Sequence, residues 1–386
     1  MNPYADFNYL GLLLYALVPT IALGLFGRAN WRWTLVVCAV AATVHFSDSV
    51  DLPGGIEIRE IWIALGYAAV ELLVAIAFLR WRSRATFYVA LFLTILPLAV
   101  AKFLPIFAPK TGFGFVGISY VTFRALDVVF SIHDGVLKTI SPLTWLGFVF
   151  FFPTASSGPI DRYRRFEKDW LKPRTRAEFL DDLDFAVARI FRGFLYKFIF
   201  AALISTHIIG HLNKQSGPLA TWAYMYAYTL YLFFDFAGYS AFAIGVSRLF
   251  GIRSPENFDR PFLSRNIRDF WNRWHMSLSF WFRDHIYMRF LLAATKGTWF
   301  ANKNLASYVG LFLTFGLMGV WHGAAWHYIL YGLYHATLLC SYDAFARWNK
   351  TARRWTGGRL ESVADVVLTF HAIAFGMLLF SGRLIQ

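Results

Sequence analysis

The residue best placed to do chemistry is a histidine enclosed by apolar sequence. His322 stands where two hydrophobic segments meet, Leu311 to Trp321 on one side and Trp326 to Tyr331 on the other, with Gly323-Ala324-Ala325 and no polar loop between them. An ionisable side chain at membrane depth is costly and is a functional candidate by default. Non-helical backbone at that depth is tolerated only where it is buried in protein or lines a wet cavity. His322 is therefore expected to face an internal cavity. An imidazole there can serve as a general base near neutral pH, because its unperturbed pKa is about 6.5. The plainer alternative is a core imidazole hydrogen-bonded to a neighbouring helix.

A second set of polar side chains recurs with helical spacing. Arg268, Asn272, His275, Ser279 and Arg283 fall on one face if Asn266 to Phe290 is a helix. Phe270, Trp271, Trp274, Leu278, Phe280 and Trp281 occupy the other faces. The pattern suits a helix lining a wet passage. It suits equally an interfacial helix with its tryptophans in the aromatic belt. A second histidine can hold the tautomer of a catalytic one or bind a developing oxyanion. His275 fits that part if it converges on His322.

Other chemistries find less support. His207 and His211 are four apart, but no glutamate lies between them and no third ligand is near, so no metal site is expected. Cys38 and Cys340 lie far apart in apolar segments without a basic neighbour to activate a thiolate. Glu71, Asp127 and Asp235 are acids inside apolar stretches. Pairing with Arg124 or other cations is the expected use, and a proton or ion path the alternative.

The elements that must position these groups are membrane helices. Of 386 residues, 58% are hydrophobic and 16% charged, and the mean hydropathy is +0.48. A soluble domain carries about 25% charged residues. An all-α polytopic membrane protein of roughly ten or eleven crossings is expected, since each needs ~20 apolar residues. The formal charge of +14 fits cytoplasmic loops rich in Lys and Arg and an acidic soluble partner, not nucleic acid. Spans are expected near 10–26, 33–46, 61–79, 87–107, 185–209, 219–250 and 363–380, the fourth interrupted by Pro97 and Pro105 and the sixth by Gly238-Tyr239-Ser240. The first span reads as retained, and the acidic stretch 47–60 reads as an outer loop. Residues 113–135 are too polar to face lipid and are expected to be re-entrant or packed inside. The small residues and basic cluster of 154–165 read as a cytoplasmic loop, soluble in character up to Arg176. No repeat or domain boundary is visible, so residues 1–386 are read as one domain.

Three segments resemble a known family. FFPTASSGPIDRYRRF (Phe151–Phe166), RPFLSRNIRDFWNRWHMSLSFWFRDHIYMR (Arg260–Arg289) and GVWHGAAWHYILYGLYH (Gly319–His335) are similar to the membrane-bound O-acyltransferases, in the branch that serves D-alanylation. GISYVTFRALDVVFSIHDG (Gly117–Gly135) fits the same branch. The resemblance implies a ring of membrane helices around a central tunnel, with re-entrant or interfacial helices. It places the family's two histidines at His322 and His275; Asn272, Ser279 and Arg283 of the polar stripe, with Trp321, are expected to line the tunnel. It implies a donor, D-alanine on the phosphopantetheine arm of an acidic carrier protein, and no permanently bound cofactor or metal. The implied acceptor is a hydroxyl on an envelope polymer outside a bacterial cytoplasmic membrane, of the teichoic-acid type. A small membrane peptide is a possible further partner. The carrier must dock on the cytoplasmic face. The short apolar stretch Met288 to Ala294 followed by Lys296 and Lys303 suits it, with Leu291 and Leu292 as anchors and Lys296 as a steering charge. A competing reading is a transporter exporting D-alanine or a related solute past His322 and Asp235.

Overall fold

A computed structural model of the chain describes residues 4, 7–28, 30–45, 59–107, 113–352, 355 and 357–385. The acidic stretch 47–60 lies outside the described residues except for its last two. Every regular element among the described residues is helical, and one isolated bridge joins Phe258 to Trp274. The helices form two compact units, Met1–Phe194 with Gly238–Pro255, and Leu195–Ala237 with Glu256–Gln386.

The first unit contains α1 (Phe7–Leu25), α2 (Trp31–His45), α3 (Arg59–Arg80), α4 (Arg84–Phe107), α5 (Ile118–His133), α6 (Pro142–Val149), α7 (Phe152–Ala155), α8 (Tyr163–Leu171) and α9 (Arg176–Phe194). Pro97 and Pro105 do not interrupt α4, which stays helical across both. In an apolar setting, neighbouring groups and small local adjustments satisfy the carbonyls that a proline frees. The interior position expected for residues 113–135 is realised in α5, twelve of whose sixteen residues are buried. Gly117 opens this helix at φ 88°, and a Cβ there would stand 2.4 Å from the Ala155 carbonyl oxygen, so only glycine permits the approach.

The buried acid of this unit, Asp127, pairs with a cation as the sequence suggests, but that cation is Arg162 and not Arg124. Arg124 does not meet an acid. Its guanidinium donates to the Phe148 and Val149 carbonyls at 2.6 and 3.3 Å and to the Thr154 hydroxyl, so it satisfies the last carbonyls of α6. Asp127 accepts instead from Arg162 Nη1 at 2.8 Å and from the Tyr163 backbone N–H at 3.0 Å, at the start of α8. Arg165 pairs with Asp161 and Asp169. Of the segment read as soluble in character, residues 154–156 and 158–161 are buried, whereas most of residues 164–176 keep partial or full exposure.

The second unit begins with two wide π-helical stretches, Leu195–Ala201 and Ile204–Ile209. There follow α10 (Gly210–Leu212), α11 (Pro218–Leu249), whose residues from Gly238 on are counted with the first unit, α12 (Ile267–Trp271), α13 (Met276–Phe282), α14 (Met288–Lys296), α15 (Lys303–His322), α16 (Trp326–Ala352) and α17 (Arg359–Phe380). Gly238-Tyr239-Ser240 does not break α11. Asp235 on α11 forms an ion pair with Lys197. The expected hairpin is present as α15 and α16. Its helices touch through glycine, for a Cβ on Gly319 would lie 2.5 Å from the Tyr328 carbonyl oxygen and one on Gly332 2.2 Å from that of Phe315. Small residues at such contacts let membrane helices approach to backbone distance. Tyr334 Oη donates to the Ala372 carbonyl at 2.9 Å and ties α16 to α17. Among the described residues, α3, α4, α11, α15 and α17 are long and apolar enough to cross a bilayer, and α1 and α2 are shorter apolar helices.

Candidate active site

The site residues lie in the second unit, and a break in the polar stripe decides their arrangement. Asn266 caps α12 by accepting the Asp269 N–H at 2.8 Å. The helix runs only to Trp271, and α13 begins at Met276. Asn257 clamps the restart. Its carbonyl accepts the Met276 N–H at 2.9 Å, and its side chain accepts the Ser277 hydroxyl at 2.6 Å. His275 occupies the turn at φ 43° and ψ 50°, in the left-handed region. The continuous helix expected over Asn266 to Phe290 is therefore absent. After α13 the chain takes a π-helical turn over Arg283–Tyr287 before α14.

This break sorts the stripe into two places. Arg268, Asn272, Ser279 and Arg283 line one cavity of about 300 Å³. His275 is absent from that lining. Its buried ring sits edge-on to Phe236, with centroids 4.6 Å apart, and within electrostatic reach of His322. Its Nε2 finds no hydrogen-bond partner among the described residues. Trp271, expected to pack away from the passage, lines the cavity instead. Trp274 and Trp281 are buried as expected, Trp274 stacked on Phe270 and Trp281 edge-on to His285.

His322 is the last residue of α15. Its ring is walled by Trp321 at 4.5 Å, Phe380 at 5.0 Å, Tyr328 at 6.0 Å and Tyr331 at 6.1 Å between centroids. Gly323 leaves room for the Tyr328 ring, which a Cβ would meet at 2.8 Å. Leu311, Thr314, Phe315 and Met318 line the cavity from α15. Their spacing carries the same helix face on to His322. Trp321 lies against His322 and is not part of the cavity lining.

The site holds two imidazoles, His275 and His322, and beside them a largely apolar cavity whose lining includes neither ring and takes polar groups from several elements, among them Asn272, Ser307, Thr314 and Asp343. Arg268 is paired with Asp343 at 3.0 Å, Arg283 with Asp284 at 2.9 Å, and Ser279 Oγ donates to the Trp274 carbonyl at 3.0 Å. On α14, Leu292 is 57% exposed, Leu291 half-buried and Lys296 exposed, so an apolar patch and a cation remain open. Sequence reasoning missed Tyr328, Tyr331, His335 and Asn257. The spacing of Tyr331 and His335, four apart on one segment, was an available signal; the clamp by Asn257 had none. Among the described residues no three His, Cys, Asp or Glu side chains gather as metal ligands would.

Comparison with known proteins covers the whole chain. The model of the MBOAT, membrane-bound O-acyltransferase family matches residues 69–382. A teichoic acid D-alanyltransferase of Bacillus subtilis (strain 168) is 44% identical over 99% of this chain and 98% of its own length. A protein of the same name from Streptococcus thermophilus is 39% identical over 100% of this chain and 96% of its own. A probable alginate O-acetylase of Pseudomonas putida is 30% identical over 85% and 69%. The chain is a multi-pass membrane protein and an O-acyltransferase, and it belongs to the membrane-bound O-acyltransferase family.

Proposed function

We propose that the protein moves D-alanine from the phosphopantetheine thioester of an acidic carrier protein to a hydroxyl on an envelope polymer of the teichoic-acid type. The observation that carries this reading is the end-to-end similarity to relatives named teichoic acid D-alanyltransferase. The chain acts as one membrane domain over residues 1–386, a ring of roughly eleven spans around a central tunnel in the cytoplasmic membrane of a bacterium. The carrier docks at the cytoplasmic face on Leu291 and Leu292, steered by Lys296. Its arm passes Asn272, Ser279 and Arg283, and Trp321 borders the reacting end. No metal or resident cofactor takes part, and a small membrane peptide of the same pathway is a further partner.

In this mechanism His322 is the general base. It takes the proton of the acceptor hydroxyl as the oxygen attacks the thioester carbonyl. The carbon–sulfur bond breaks, an ester forms, and the proton passes to the departing thiolate. His275 supports the step. Its open Nε2 can bond the carbonyl oxygen as negative charge develops there, in a dry setting where such a bond counts most. The apolar surroundings also exclude water, which would hydrolyse the thioester.

The test is reconstitution of the purified protein in vesicles with carrier bearing labelled D-alanine. Label arriving as an ester on a hydroxyl acceptor supports the proposal. Free labelled D-alanine appearing across the membrane, with no ester formed, would replace it with a transporter.

A further inference from the structure

His335 lies on α16 with none of its surface exposed, surrounded by Tyr331 at 4.6 Å, Trp271 at 5.1 Å and Tyr334 at 5.5 Å between ring centroids. The indole Nε1–H of Trp271 donates to its Nδ1 at 3.3 Å. A neutral imidazole has one acceptor and one donor nitrogen, so this bond places the proton on Nε2. Nε2 has no hydrogen-bond partner among the described residues and faces α17 at Gly376, where a Cβ would stand 2.6 Å away. The ring is thus held between an indole on one side and a glycine face on the other.

Trp271 is the consequence of this arrangement. It lies edge-on to Phe315 at 4.9 Å, and both line the cavity. Phe315 and Met318 lead along α15 to His322, so the indole stands on the wall beside that approach. Tyr331 contacts the rings of both His335 and His322. We propose that His335 is a positioning residue that fixes the Trp271 indole as the inner wall of the cavity and thereby limits the size of acyl group that reaches His322. This inference rests on the acyl-transfer reading above.

The test uses the full-length protein in vesicles and carrier thioesters of D-alanine and of the bulkier D-leucine. His335→Leu removes the acceptor of the indole N–H. His335→Asn keeps one, its amide oxygen standing close to the place of Nδ1. Trp271→Phe removes the donor and, with a smaller ring, widens the cavity. His335→Leu and Trp271→Phe should each lower the kcat/KM preference for D-alanine by about tenfold or more, the low end of what one methylene is worth in a fitted pocket. His335→Asn should restore it. A second readout needs no substrate. In fluorotryptophan-labelled protein, the fluorine resonance lost in Trp271→Phe should shift in His335→Leu and return in His335→Asn. A folded His335→Leu protein with unchanged preference, or Asn and Leu variants that behave alike, would overturn the proposal. Should His335→Leu not fold, an unchanged preference in Trp271→Phe overturns it equally. Should the unmodified protein transfer neither acyl group, the acyl-transfer reading fails, and the fluorine signal still decides whether His335 holds Trp271.

Discussion

Substituting Gly332 by alanine tests whether the α15–α16 hairpin sets the geometry of the site. A Cβ on Gly332 would lie 2.2 Å from the Phe315 carbonyl oxygen, whereas ordinary contact begins near 3.4 Å. The difference, 3.4 − 2.2, is about 1.2 Å of forced separation. The obstacle is backbone, so no side-chain rotation relieves it. Overpacking of this kind costs about 1–3 kcal/mol. The larger effect is expected on function, because Phe315 lines the cavity and the same helix carries His322. A misplacement of 1 Å can cost about 100-fold in rate. Gly332→Ala should therefore remain membrane-inserted, melt a few degrees lower and lose about 100-fold in kcat for acyl transfer. Gly316, whose Cβ would meet nothing within 4 Å, is the control, and Gly316→Ala should be close to neutral. A Gly332→Ala protein with normal kcat would show that the hairpin contact does not position the catalytic group.

Four further outcomes are expected. Purified His322→Ala should insert normally and lose at least ~100-fold in transfer, the low end for a missing general base; near-normal transfer removes His322 from the mechanism. Leu292→Asp should abolish carrier binding in a titration, and Lys296→Ala should mainly slow association and flatten its salt dependence; an unchanged dissociation constant for Leu292→Asp places docking elsewhere. Cysteines at Asn272 and Ser279 should react with a water-soluble thiol reagent faster than cysteines at Trp274 and Trp281, and equal labelling counts against the cavity assignment. Arg124→Leu leaves the Phe148 and Val149 carbonyls without their donor and should destabilise the protein by about 1–3 kcal/mol, read as a lower melting temperature; an unshifted transition would show that the guanidinium is dispensable there.

Hydrophobicity and charge made the helices legible, and the end of α15 at His322 followed from the glycine after it. Long-range pairing was not legible. Asp127 and Arg162 are 35 residues apart, and the local run of arginines looked like a solvated loop until its partners were in place. The polar stripe failed for a different reason. Periodicity assumes one continuous helix, and WNRWHMS points to the wrong residue: its one usual left-handed signal, Asn272, stays right-handed at φ −81°, and the left-handed residue is His275. One such residue moved His275 out of the stripe and brought Trp271 into the cavity. The prolines of α4 misled in the opposite direction, because the penalty they carry in water is relieved in an apolar surround.

The backbone of His275 has a bearing on how that residue should be interrogated. A left-handed conformation costs an L-residue roughly 1–2 kcal/mol, and glycine or asparagine occupies it with less penalty. Alanine scanning at this position would keep the strained backbone while removing the ring from Phe236, and would mix two effects. His275→Gly relaxes the turn, which offsets part of the lost contact, and His275→Asn keeps a polar side chain on a tolerant backbone. If either variant melts like the parent yet transfers poorly, the deficit belongs to the imidazole alone. The same fact has a broader meaning. A turn that would close more easily on glycine holds an aromatic base, and strain kept at one residue is an observation from which function can be inferred.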